Sequence, residues 1–141
     1  MKSERFYELW EQVHSKESKL MGIKAGEYAS GDDRLYNFKE GARMMGCTSS
    51  EVAWAYLPKH LISVQKAIQE GGRYNFSWAV LQEDGTYTEG IIQKIVDARN
   101  YLFLLLCCME EQSGTKVSLG MLETEVSALR EALGGEKVAP P

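Results

Sequence analysis

Apolar residues recur at helical spacing through most of the chain, and the interruptions mark where one helix gives way to the next. Phe6, Leu9, Trp10, Val13 and Leu20 share one face with Glu, Gln and Lys opposite, which predicts an amphipathic helix over Ser3–Met21. Gly22 is placed to end it, and Gly26, Ser30 and Gly31 mark the following stretch as a loop. Asp32 or Asp33 then reads as the N-cap of a second helix, Arg34–Met45, stopped by Gly46. Thr48-Ser-Ser-Glu51 has the form of a capping box, so a third helix should begin near Ser49 and run to Glu70. Val52, Ala53, Tyr56, Leu57, Leu61, Val64 and Ile68 are its expected buried face, Pro58 should kink it, and Gly71-Gly72 should end it.

The period then changes. Tyr74, Phe76, Trp78 and Val80 alternate with Asn75, Ser77 and Ala79, and Asp84-Gly85 is a turn signal before Thr86-Tyr87-Thr88, so a β-hairpin is predicted over about 73–88. Such a hairpin is marginal alone and needs a surface for its aromatic face. A fourth helix follows from about Glu89 to Gln112, apolar nearly all round in its second half, as suits the centre of a bundle or a subunit interface. After the polar break Ser113–Lys116, Ser118 is placed to cap a last helix over 118–133. There Leu119, Leu122, Val126, Leu129 and Leu133 form a coiled-coil-like seam that serves packing or oligomer formation. Gly134-Gly135 ends it, leaving 136–141 as a flexible tail. The expected fold is mainly α: a bundle of about five helices with one inserted β-hairpin, in a single domain over 1–135.

Composition narrows the function classes. The 141 residues carry 16 Lys and Arg against 20 Asp and Glu, a formal charge of -4, which argues against duplex nucleic acid and anionic membranes as partners. With 44% hydrophobic and 26% charged residues the chain reads as an ordinary globule. Cys47, Cys107 and Cys108 make no CxxC pair, and two lie in an apolar run, which points to small buried thiols and a reducing cytoplasm. The run Tyr101–Met109 is too short to span a bilayer, and the N-terminus has no signal-peptide pattern.

Two histidines, His14 and His60, exclude a poly-histidine metal site, and no Walker loop or zinc pattern occurs. Four polar clusters remain. Lys24 to Tyr28 followed by Asp32-Asp33-Arg34 and Asn37 suits a ligand, because helix-start amides and a guanidinium hold anions; the same residues also serve capping and surface pairing. Lys59-His60 beside Pro58 can aim into a cleft, although a histidine there also reads as a satisfied half-buried side chain. Asp97 and Asn100 share one face of the most apolar helix, where a carboxylate costs several kcal/mol unless paired, with Lys59 or Arg34 for example, or metal-bound. Glu8 and Glu11, one turn apart with His14 one turn on, have magnesium-ligand spacing and equally read as a solvated face.

Lys24-x-x-x-Tyr28, Asp33-Arg34-x-x-Asn37-Phe38, Lys59-His60 and Asp97-x-x-Asn100-Tyr101-Leu102, in that order, resemble the small nucleotide-modification-associated proteins of phages and bacteria. These are related in form to MazG-like all-α nucleotide pyrophosphohydrolases, and the likeness covers Phe6 to Glu111 apart from the hairpin. The resemblance implies an oligomeric helical bundle that handles a nucleotide or nucleotide-derived molecule in the host cytoplasm. Asp97 would be its metal carboxylate, with Glu8 and Glu11 as the opposing pair for Mg2+. Lys24, Arg34, Lys59 and His60 would face phosphates, while Tyr28, Asn37 and Asn100 would shape the base or sugar pocket; Asp97 and His60 would be the catalytic groups. One departure stands out: the second carboxylate of the family's ExxD arrangement is absent, and Gln93 and Lys94 occupy the positions before Asp97. Three readings stay open: magnesium-dependent nucleoside triphosphate pyrophosphohydrolysis, non-catalytic binding of a nucleotide or nucleotide signal, and a phage inhibitor acting by protein–protein contact.

Overall fold

A computed structural model describes residues 1–28, 30–70, 76–116 and 118–132, with the side chains of 25–28, 119, 121 and 122 outside that description. It contains α1 (Ser3–Tyr28), α2 (Tyr36–Met45), α3 (Ser49–Gln69), β1 (Ala79–Leu81), β2 (Tyr87–Glu89), α4 (Ile91–Ser113) and α5 (Leu119–Ala132). This is the mainly helical arrangement with an inserted hairpin that the periodicity predicts.

The core lies where α2, α3 and α4 meet. Phe38 and Ala42 of α2, Val52, Ala53 and Leu57 of α3, and Ala98, Tyr101, Leu104 and Cys108 of α4 form one buried cluster with Leu35. Phe38, 2% exposed, sits edge-on to Tyr101 at 6.3 Å between ring centroids. Gly41 lets α2 approach α3, since a Cβ there would meet Val52 Cγ1 at 3.2 Å. The predicted capping box forms: Thr48 Oγ1 accepts from the Glu51 amide at 3.3 Å, and Glu51 Oε2 accepts from the Thr48 amide at 2.7 Å. The helix runs across Pro58.

Of the predicted apolar face of α3, only Val52, Ala53 and Leu57, all in its first half, are fully buried. Leu61 and Ile68 are exposed, because ten-residue α2 spans about 15 Å and leaves the second half of α3, some 32 Å long in all, without a cover on that side; Tyr56, in the first half, is also exposed, contrary to expectation. α1 lies against α4 and buries no described side chain fully. It is also longer than expected. Gly22 does not end it: the helix continues to Tyr28, placing Lys24 on a helix and not in a loop. The cap predicted at Asp32 or Asp33 also shifts. Asp33 Oδ1 accepts from the Leu35 amide at 3.0 Å in a side-chain turn, and α2 begins at Tyr36.

The hairpin is shorter than predicted, with Val80 opposite Thr88. Tyr74 and Asn75 of the predicted strand lie outside the described residues, as do Leu133 and the predicted tail. The hairpin is pinned to the start of α4. The Gly90 amide donates to Trp78 O at 2.8 Å and the Ile92 amide to Ser77 O at 3.2 Å. A Cβ at Gly90 would lie 2.0 Å from that Ser77 oxygen, so only glycine fits. Lys16 Nζ stands 4.8 Å from the centre of the Trp78 ring, which ties α1 to the same corner. No helix among the described residues is long and apolar enough to cross a membrane.

Candidate functional site

Gln93, Asp97, Asn100 and Tyr101 recur at spacings of three and four and therefore share one face of α4, turned toward α1 and α3. Asp97 is 2% exposed. Its Oδ1 accepts from Lys24 Nζ at 2.7 Å and from Gln93 Nε2 at 3.1 Å. Asp97 thus takes its cation from the last turns of α1, not from Lys59 or Arg34, the partners that spacing suggested. The extension of α1 past Gly22 makes this pairing geometrically available.

Three buried polar atoms of this cluster have no hydrogen-bond partner among the described residues: Asp97 Oδ2, Asn100 Nδ2 and His60 Nε2. His60 reaches the cluster from α3 with its ring tilted 31° on Tyr101 at 4.5 Å. Burial lowers its pKa below the usual histidine value, the nearby Lys59 and Lys24 charges act in the same direction, and Asp97 and Glu89 oppose them. The imidazole is accordingly neutral near pH 7 and offers Nε2 as donor or acceptor according to tautomer. An unsatisfied buried polar group costs about 1–3 kcal/mol, so this set of one acceptor, one donor and one ambivalent atom favours a polar partner of matching pattern.

The structure brings Lys24, His60, Asp97 and Asn100 together, with exposed Lys59 at the margin, its ammonium 5.8 Å from the centre of the Tyr56 ring. It does not bring Arg34 there. Arg34 lines a cavity of about 960 Å3 with Met21, Phe103, Leu106 and Glu110, and Asp97 is not part of its wall. Asn37 is exposed on α2, and the Tyr28 side chain lies outside the description. Neighbouring Asp33 pairs with Lys39 at 2.8 Å, which bridges to Glu111 at 2.8 Å; this pairing holds the Asp33 carboxyl below its ordinary value. Glu8 is exposed and paired with Arg5 at 3.0 Å, and Glu11 is exposed. Both lie roughly 20–24 Å along the α1 axis from Lys24.

Two contributors escaped the sequence reading. Gln93 registered only as a lost carboxylate, yet its amide orients Asp97. The fork of Arg99 onto Glu17, at 2.9 and 3.1 Å, clamps α1 to α4, and Arg99 also lies over Trp10. The i−4 spacing of Gln93 signals the first; nothing local signals a pair 82 residues apart.

Magnesium prefers several oxygen ligands with carboxylates to neutralise its charge. Asp97 is held by one ammonium and one amide, with a second amide and an imidazole in the same cluster, and no group of three or more His, Cys, Asp or Glu capable of holding a metal occurs among the described residues. The set does not fit magnesium, and Lys24 already supplies the positive charge. Burial raises the pKa of both Cys107 and Cys108, which disfavours their reactive thiolate forms. No protein-family model, curated protein or solved structure matches the chain.

Proposed function

We propose that this protein binds a nucleotide or nucleotide-derived small molecule without a metal ion, as part of a homo-oligomer in a reducing cytoplasm. Lys24 and Lys59 meet phosphate, while Asp97 Oδ2, Asn100 Nδ2 and His60 Nε2 meet the polar edge of the base or the sugar hydroxyls. The observation that carries the reading is the set of three buried, unpartnered polar atoms around a carboxylate already held by a lysine. Lys24 retains 29% exposure, so it can turn toward a phosphate without first leaving a dry interior. The binding reading is preferred to pyrophosphohydrolysis because that reaction, water attacking phosphorus with pyrophosphate leaving, needs carboxylate-held magnesium in the related enzymes, and the described residues do not supply the carboxylates.

Titration calorimetry with the common ribo- and deoxynucleoside triphosphates and monophosphates, in EDTA and in magnesium, tests the proposal. The expected result is binding of at least one of them that survives EDTA, weakens about tenfold (about 1.4 kcal/mol) in Lys59→Ala, and is unchanged in Arg34→Ala. Lys59 is exposed, so its removal leaves the fold intact. Absence of binding across the panel refutes the proposal. Magnesium-dependent pyrophosphate release that Asp97→Asn abolishes replaces it with the hydrolase reading.

A further inference from the structure

Tyr56 lies on the predicted apolar face of α3 and yet is 49% exposed. Two rings of the core hold it: Phe38 at 6.4 Å between centroids and 64° between planes, and Tyr101 at 6.4 Å and 58°. A tyrosine loses little conformational freedom on being fixed, and these contacts fix it further. The exposed part of the ring is therefore a flat, apolar and pre-positioned surface.

That surface adjoins the orphaned polar atoms. His60 is four residues on, so it shares a face of α3 with Tyr56, and both rings rest on Tyr101, the imidazole at 4.5 Å. Asn100 precedes Tyr101 on α4 and Asp97 lies about one turn before it. Their Nδ2 and Oδ2 atoms, on residues 6% and 2% exposed, lack a partner among the described residues. The Lys59 ammonium stands 5.8 Å from the centre of the Tyr56 ring. A cation over an exposed ring is held weakly, so Lys59 can swing to a phosphate and leave the ring to a ligand. A sugar phosphate would match the polar atoms and the ammonium but leave the ring unused. A nucleotide uses all three, because it adds a flat π-face to the same polar groups.

We propose that Tyr56 is the stacking surface for the base of the bound nucleotide, and that this contact selects ligands with an aromatic ring over sugar phosphates and inorganic phosphates. The inference rests on the nucleotide-binding proposal and adds a contact that the polar cluster does not contain. Stacking tolerates every base, so the selection is for a ring and not for one particular base.

Titration calorimetry in EDTA, with the common ribo- and deoxynucleoside triphosphates and with inorganic tripolyphosphate, tests it on the wild type, Tyr56→Leu and Tyr56→Phe. Leucine keeps an apolar contact with Phe38 and Tyr101 at a half-exposed position, and circular dichroism checks that helical content is unchanged. From the usual worth of a base on an aromatic ring, Tyr56→Leu should weaken the tightest-binding nucleotide roughly tenfold or more. Tyr56→Phe keeps the ring and should bind within about twofold of the wild type. Tripolyphosphate has no ring and should behave alike with all three forms. Nuclear Overhauser contacts between base protons and the Tyr56 ring, expected in the wild-type complex, read the same contact without a variant. A nucleotide that binds the wild type and Tyr56→Leu equally well, or that makes no Overhauser contact to Tyr56, overturns this inference and leaves the binding proposal standing. So does a Tyr56→Phe variant weakened as far as Tyr56→Leu, or tripolyphosphate weakened in step with the nucleotide. A wild type that binds no nucleotide of the panel overturns both.

Discussion

Replacing Lys24 with methionine keeps the aliphatic stem and removes the ammonium 2.7 Å from a carboxylate whose side chain is 3% exposed. Removing one partner from a buried pair costs about 3–5 kcal/mol, because the other charge is left without compensation. Two features lower the figure here. Gln93 still donates to Asp97 Oδ1, and the 29% exposure of Lys24 means that part of the attraction was already screened by water. The expected loss is about 2–3 kcal/mol at pH 7, measured by urea unfolding followed by circular dichroism. Asp97→Asn in the same background removes the stranded charge, so the double variant should lose about 1.5 kcal/mol or more less than the sum of the singles. A loss below about 0.5 kcal/mol, additive with Asp97→Asn, refutes the view that this pair holds α1 to α4.

Three further outcomes follow from other parts of the fold. Gly90→Ala drives a methyl onto Ser77 O and should cost about 1–3 kcal/mol in urea unfolding, with amide exchange accelerating across β1 and β2; an unchanged hairpin contradicts the close approach. Phe38→Ala empties the centre of the α2–α3–α4 core and should cost about 3–5 kcal/mol, whereas a loss under about 1 kcal/mol places the core elsewhere. Because burial lowers the pKa of His60, the unfolded chain binds its proton first. The stability this contributes is complete above about pH 6.5 and is lost as the pH falls through the folded-state value; His60→Gln should flatten that slope, and an unaltered slope contradicts a neutral, half-buried imidazole.

The legible parts of the sequence were those decided locally. The capping box at Thr48 and Glu51, Gly46 as a helix end, and the change of period into the hairpin each involve residues within a few positions of one another. The end of α1 was not local. A glycine within a helix costs about 1 kcal/mol relative to alanine, and Gly22 is tolerated where the turns beyond it deliver Lys24 to a partner 73 residues away. The demand of Asp97 for a partner was legible from a carboxylate on an apolar helix; the identity of the partner was not, because spacing could not rank Lys24 above Lys59 or Arg34. Arg34 parted from the cluster for a related reason. It reads as a neighbour of Lys24 along the chain, but the turn closed by Ser30 and Asp33 carries it to the side of the bundle facing Phe103 and Glu110.

Native mass spectrometry of the freshly purified full chain, sprayed from EDTA and again after adding the nucleotide panel, reports most directly on whether the Lys24–Asp97–His60–Asn100 junction is a binding site. The account predicts an adduct of nucleotide mass on each protomer in EDTA, recovered chemically unaltered after denaturation and depleted in Lys59→Ala. Protomers that carry no adduct under any of these conditions, or an adduct that forms only with magnesium and persists in Lys59→Ala, contradict it.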